Sequence, residues 1–261
     1  MSGIRYPAVA GMFYPADPIE LKHMVDGFLA EKIIEQSMPK AMIVPHAGFI
    51  YSGPIAASAY AQLPAFAEQI TRIVLLGPTH HVAFRGIAFP TANIFVTPLG
   101  NIPIDQQTIN SIRHFPQVSI NDLAHTQEHS LEVQLPFLQT LLPRFSLIPA
   151  VIGESSPQEV GEILEALWGG PETLIIISSD LSHYHGYTEA KQLDKHTSEA
   201  IENFHIEAIN HHHACGRNAV NGLLHVAKKK HLQAATVDLR NSGDTAGSKD
   251  RVVGYGAYLF H

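Results

Sequence analysis

Thr173-Leu174-Ile175-Ile176-Ile177-Ser178-Ser179-Asp180-Leu181-Ser182-His183 reads as an apolar strand running into a polar loop that carries histidine. A short aliphatic run without alternation suits a strand buried on both faces, as in a parallel sheet. The pattern occurs twice more. Ala41-Met42-Ile43-Val44 leads into Pro45-His46-Ala47-Gly48, and Arg72-Ile73-Val74-Leu75-Leu76 leads into Gly77-Pro78-Thr79-His80-His81. In open α/β sheets ligands bind beyond the carboxyl ends of the strands. Three strands that end in histidine therefore predict one shared site, and imidazole is the commonest transition-metal ligand.

Around these strands the chain alternates strand and helix. Asp17-Pro18 predicts a helix start, with Leu21, Met24, Val25, Phe28 and Leu29 as its apolar stripe. Ser52-Gly53-Pro54 is read as opening a second helix, which runs to about Leu63. Residues 86–89 and 94–99 suggest a hairpin around 90–93, and Asp105 caps a further helix. A helix is expected over 130–142, kinked or restarted at Pro136, followed by a strand over 145–152 and a helix over 157–167. Helices over 189–203, 206–211 and 217–229 precede two last strands, 233–239 and 252–259. The expected fold is α/β, a mixed, largely parallel sheet sandwiched by helices, in a single domain spanning 1–261.

Composition excludes several classes. Hydrophobic residues make up 45% and charged residues 16%, which fits a packed core and not a disordered chain. The formal net charge of -7 argues against a broad nucleic-acid surface, and Lys228-Lys229-Lys230 reads as the solvated end of a helix. No apolar run approaches the roughly 20 residues that cross a membrane, and Met1-Ser2-Gly3-Ile4-Arg5-Tyr6-Pro7 lacks a leader-like core. With one cysteine and no internal disulfide, a cytoplasmic location is expected.

The candidate site residues follow from the strand ends. His46 alone fits either a turn histidine bonded to backbone or a ligand, and the glycines at 48 and 53 allow close approach of a ligand. Adjacent residues leaving a strand point to opposite sides, so one of His80 and His81 faces the site. His80 is the choice, with His81 in packing. Asp180 and His183 are close enough in sequence to form an acid–base pair in which the carboxylate sets the tautomer. Glu128-His129-Ser130 is either a capping segment or a source of His129 for charge stabilisation. Cys215, before a helix and beside Arg217, should have its thiol shifted toward thiolate. The tract His211-His212-His213 is read as surface.

Together Pro45-His46-Ala47-Gly48, Tyr51-Ser52-Gly53, Gly77-Pro78-Thr79-His80-His81, Glu128-His129-Ser130, Ser178 to His183 and Cys215-Gly216-Arg217 resemble the Memo family, also described as AmmeMemoRadiSam system protein B. Ala10-Gly11-Met12-Phe13-Tyr14 and Gly254-Tyr255-Gly256-Ala257 add weaker agreement at the two ends. The resemblance implies a fold similar to the class III, non-haem-iron extradiol dioxygenases. It also implies a metal pocket of His46, His80 and Cys215, with Asp180, His183 and His129 lining it. Those dioxygenases hold their metal with two histidines and a carboxylate; Cys215 in the third position is a departure.

Three functions follow as expectations. The first is a metal-dependent redox enzyme using iron, or else copper or zinc, on an unknown small molecule, with His183 as general base, Asp180 orienting it and His129 stabilising charge. The second is a non-catalytic adaptor that binds a ligand or peptide in the same pocket, with Arg217 as an anion partner. The third is a metal-dependent hydrolase. The resemblance further implies AMMECR-type and radical-S-adenosylmethionine partner proteins, and neither nucleic acid nor membrane is expected as a partner.

Overall fold

A computed structural model describes residues 3–30 and 37–261 of the chain. Met1 and Ser2, where the stretch read for a leader begins, lie outside the described residues. The first half comprises β1 (Ile4–Arg5), α1 (Pro18–Ala30), β2 (Ala41–Val44), α2 (Phe49–Tyr60), β3 (Arg72–Pro78), β4 (Ile87–Phe89), β5 (Ile94–Thr97), β6 (Gly100–Pro103) and α3 (Gln106–Ser111). The chain continues through β7 (Val118–Ile120), α4 (Asp122–Thr126), α5 (Leu135–Leu141), β8 (Ser146–Ile152), α6 (Pro157–Ala166) and β9 (Thr173–Ser178). It ends with β10 (His183–His185), α7 (Tyr187–Glu202), α8 (Arg217–Lys229), β11 (Ala234–Asn241) and β12 (Val252–Phe260).

The main sheet has the order β10-β12-β2-β9-β3-β8-β4-β7, and β11 adds to β12. Its centre is four parallel strands, β2, β9, β3 and β8, flanked by antiparallel β12 and β4. Every residue of β2 and β9 is buried. Successive strand side chains point to opposite faces, so both faces are covered. Helix α2 packs on β2, β11 and β12 beside α1 and α5, while α8 packs on β3 and β9 and against α6. This is the mixed α/β sheet flanked by helices that the apolar runs predict. Among the described residues no helix is long and apolar enough to cross a membrane.

Register makes the site. Val44 pairs with Ser178, and Ile177 pairs with Leu76, so β2, β9 and β3 finish nearly level. His46, Asp180 and His80 each leave the sheet within four residues of those pairs. At the same edge Gly216 lets α8 approach β9. A Cβ there would lie 2.8 Å from the Ser179 Cβ and 2.9 Å from the Ser178 carbonyl oxygen. That close approach carries Cys215 to the strand ends.

Several local expectations are corrected. Residues 86–89 and 94–99 do not form a hairpin: β4 belongs to the main sheet. β5 turns back on β6 and pairs in parallel with β1 in a separate three-stranded sheet. Helix α2 begins one turn earlier than Ser52. The Tyr51 and Ser52 N–H groups already donate to the Gly48 carbonyl, so Pro54 falls inside the helix. Gly53 serves helix packing, not ligand approach, because a Cβ there would lie 2.4 Å from the Phe28 ring. A 3₁₀ turn, Glu132–Gln134, precedes α5, where Pro136 marks the restart. Residues 206–208 form only a 3₁₀ turn, and His211 to His213 lie in turns, not on a helix.

Candidate metal centre and its cleft

A cleft of about 680 Å³ opens over the strand ends, lined on its floor by His46, His80, His129, Asp180 and His183. His46 is buried. Its backbone N–H donates to Asp180 Oδ1 at 2.7 Å, which ties the β2 loop to the β9 loop. Its Nδ1 lies 2.9 Å from Ser178 Oγ.

The hydrogen bonds around Ser178 settle which nitrogen of His46 carries the proton. Ser178 Oγ donates its single proton to the Ser130 carbonyl at 2.6 Å and accepts from Gln134 Nε2 at 2.8 Å. The Gln134 amide is itself oriented, since Nε2 also donates to the Pro45 carbonyl and Oε1 accepts from the Tyr60 hydroxyl. With the hydroxyl proton committed, His46 Nδ1 must donate to Ser178 Oγ. Nε2 is left with its lone pair, 3.4 Å from Cys215 Sγ.

His80 is fixed in the same sense by a different partner. Its Nδ1 donates to Glu128 Oε1 at 2.8 Å, and its backbone N–H donates to Glu128 Oε2 at 2.6 Å. Glu128 Oε1 also accepts from the Ser130 N–H at 2.9 Å. Burial works against this carboxylate, but the hydrogen bonds and charge of His80 outweigh it and hold Glu128 down at about 2. His80 is therefore the member of the His80-His81 pair that faces the cleft, whose lining does not include His81. The His80 Nε2 is the uncommitted nitrogen, and that of His46 meets the Cys215 thiol.

Cys215 closes the set. The Asp180 N–H donates to its Sγ at 3.3 Å. One ligating atom from each of His46, His80 and Cys215 lies within 4.8 Å of the others. A second set of that kind joins His80, Glu128 and His129, but Glu128 already accepts three hydrogen bonds and acts as scaffold. Among the described residues no third set of that kind occurs. Two imidazoles that turn Nε2 toward one thiol are a donor set that fits a borderline or soft transition ion. The carboxylate and hydroxyl behind the rings are the outer partners such ligands use.

Three electrostatic expectations change. Cys215 is not shifted toward thiolate: burial first, then the nearby Asp180 charge, push its thiol up to about 12. Arg217 does not assist, because its guanidinium turns to Glu154, 3.3 Å away, and the cleft lining does not include it. A ligand role for Cys215 therefore requires an ion to displace its proton. His183 takes its orientation from the Leu181 carbonyl, to which Nδ1 donates at 2.8 Å, and not from Asp180. Burial raises the Asp180 pKa, although the His46 N–H opposes this.

His129 packs between Phe13 and His80, with ring centroids 4.8 and 4.4 Å away. Burial, and then the neighbouring His46 and His80, lower it to about 4. It is neutral at pH 7. The same burial brings His46 to about 3.

Sequence reasoning missed the rim. Exposed Tyr184, Ser248 and Arg251 join Met12 and Phe13 in lining the cleft. Tyr184 has φ +62°, the left-handed region where only small polar residues and glycine are common. The Arg251 guanidinium sits 5.3 Å from its ring centroid. Neither residue follows an apolar strand run, so the strand-end signal that found His46 and His80 does not reach them. The orienting roles of Ser178 and Gln134 were also missed, because they depend on contacts between segments far apart in sequence.

Comparison with known proteins agrees with this architecture. A solved structure of an uncharacterized protein from Escherichia coli K12 shares the fold at a TM-score of 0.50 and 12% identity, covering 84% of this chain and 99% of that one. A MEMO1 family protein of Aquifex aeolicus is 36% identical across 98% of this chain and 99% of its own length. One from Methanosarcina mazei is also 36% identical, across 98% of both chains. The family model described as Memo-like protein matches residues 5–259, and the chain belongs to the Memo-like family.

Proposed function

We propose that His46, His80 and Cys215 hold a redox-capable transition ion, iron or else copper, and that the protein is an oxidoreductase acting on a small molecule bound in the cleft. The observation that carries this reading is the shared orientation of the two imidazoles. Each has Nδ1 tied to an oxygen of the protein, leaving Nε2 free beside one thiol. Three protein ligands leave positions open for exogenous groups, and a bound ion would supply Lewis acidity and one-electron chemistry there.

The other residues have separable tasks. His183, with Nδ1–H on the Leu181 carbonyl, presents a basic Nε2 to the cleft and takes a proton from a substrate hydroxyl there. The imidazolium formed is stabilised by that carbonyl and by the nearby Asp180 carboxylate. His129 donates a hydrogen bond to charge that develops on the substrate. Asp180 keeps the two strand-end loops together through the His46 N–H. The Phe13 ring beside His129 limits water at that side of the floor.

Elemental analysis of protein purified without oxygen tests the centre. Wild type is expected to retain close to one iron or copper per chain, and Cys215→Ala to lose it while keeping its circular dichroism spectrum. Full occupancy in the Cys215→Ala protein would remove Cys215 from the ligand set. Zinc in place of a redox metal would instead favour hydrolysis, since His/Cys sets also hold zinc.

A further inference from the structure

The cleft's mouth has one strong charge, and the residues around it leave that charge without a partner. Arg251 lines the cleft with its guanidinium over the Tyr184 ring, and its Nε sits 3.5 Å from the Tyr184 carbonyl oxygen. No carboxylate among the described residues pairs with it, nor with Arg113 or Arg144, whereas Arg5, Arg72, Arg85, Arg217 and Arg240 each reach one; of the three without such a partner, Arg251 lines this cleft. Its chain neighbours are committed elsewhere. Asp250 turns back on Ser248, accepting from the Ser248 hydroxyl at 3.3 Å, and the Lys249 ammonium lies over the Tyr187 ring. Asp180 is the cleft's one carboxylate. It is buried at the floor under the His46 N–H.

Tyr184 holds this arrangement in a costly backbone conformation. A left-handed tyrosine persists only where surrounding contacts enforce it, and such residues gather at ligand sites. The register of β10 against β12 shifts at this position, between His183 and His185, which frees Tyr184 from the ladder. The residue is 63% exposed, and its ring gives a flat apolar face beside the guanidinium. A guanidinium stacked on a ring keeps its donor edge free, and that fork matches the two oxygens of a carboxylate. A phosphate dianion calls for a cluster of arginines; a single guanidinium matches a single negative charge.

We infer that Arg251 and Tyr184 form a recognition site for the carboxylate of a small, flat organic acid, the substrate whose other end reaches the histidine floor. The cavity is of the size that takes such a molecule. The inference rests on the cleft being the reactive site, but recognition at the rim does not require the ion. It is therefore tested on metal-free protein.

Calorimetric titration with benzoate, benzamide and phenyl phosphate reads it directly. Wild type is expected to bind benzoate about tenfold more tightly than its neutral isostere benzamide, because a charge-assisted pair is lost in the amide. Arg251→Gln should abolish that difference and Arg251→Lys should retain part of it. Equal affinity for acid and amide, an unchanged preference in Arg251→Gln, tighter binding of phenyl phosphate, or no saturable benzoate binding would each overturn the assignment. Cobalt(II) titration of the same Arg251→Gln protein, followed by thiolate absorbance, reports on His46, His80 and Cys215 alone. Loss of the metal reading would appear there and leave the carboxylate result standing.

Discussion

The floor and the rim of the cleft are built in opposite ways. On the floor, His46 and His80 follow strands with buried aliphatic runs, and every polar atom that orients them is itself hydrogen-bonded inside the protein. At the rim, Tyr184 and Arg251 are exposed, held by their mutual contact, the His183 ring against Tyr184 and one long backbone contact. Buried hydrogen-bonded groups set geometry tightly because leaving any of them unpaired costs free energy. Exposed groups can vary without disturbing the fold. The comparison separates a fixed chemical centre from an adjustable recognition surface.

The largest break in that comparison comes from Ser178. Ser178→Ala removes the acceptor that holds the His46 proton on Nδ1, and affinity for cobalt(II) is expected to fall about 10–100-fold while Arg251-dependent benzoate binding is unchanged. Equal losses in both would mean that floor and rim are one unit. Gln134→Leu comes next. It strands the Tyr60 hydroxyl and the Pro45 carbonyl, so urea unfolding should show a loss of about 1–3 kcal/mol.

Acid sharpens the distinction between buried and exposed histidine. Burial lowers the His125 pKa to about 4, against about 6.5 in an unfolded chain. The unfolded state therefore takes up the proton first. Its contribution is complete above about pH 6.5 and is lost as the pH falls toward 4. Between pH 7 and 5 the wild type should lose about 1–2 kcal/mol more than His125→Gln, measured by urea melts at both values. The smallest effect belongs to the rim: Arg251→Gln should change unfolding free energy by less than about 0.5 kcal/mol.

What could be read from the amino-acid order divides along the same line. Strands ending in His46, His80 and Asp180 were legible because burial on both faces leaves an uninterrupted aliphatic run, and the turn to polar residues marks its end. Cys215 was legible in place but misread in charge. A helix start and Arg217 favour thiolate, yet burial and the approach of Asp180 dominate, and neither shows in local sequence. The His183 partner was misread for a related reason, since nearness to Asp180 in sequence lost to the Leu181 carbonyl in space. Arg251 sits in a polar, glycine-bearing loop whose position over the cleft depends on the pairing of β12 with β10. Such a long-range pairing leaves no periodic trace.

One more consequence follows from the separation of His46 and Cys215, which touch across 169 positions of chain. An ion held by both would act as a reversible staple between the β2 loop and the start of α8. It would bind the native arrangement and find no matching set in the denatured chain. Mass action then raises the melting temperature with free ion concentration, by about 2.7 kcal/mol of stability at a hundredfold excess over the dissociation constant. With such an ion, the folded population would gauge metal supply, and chains lacking it would be the more readily cleared.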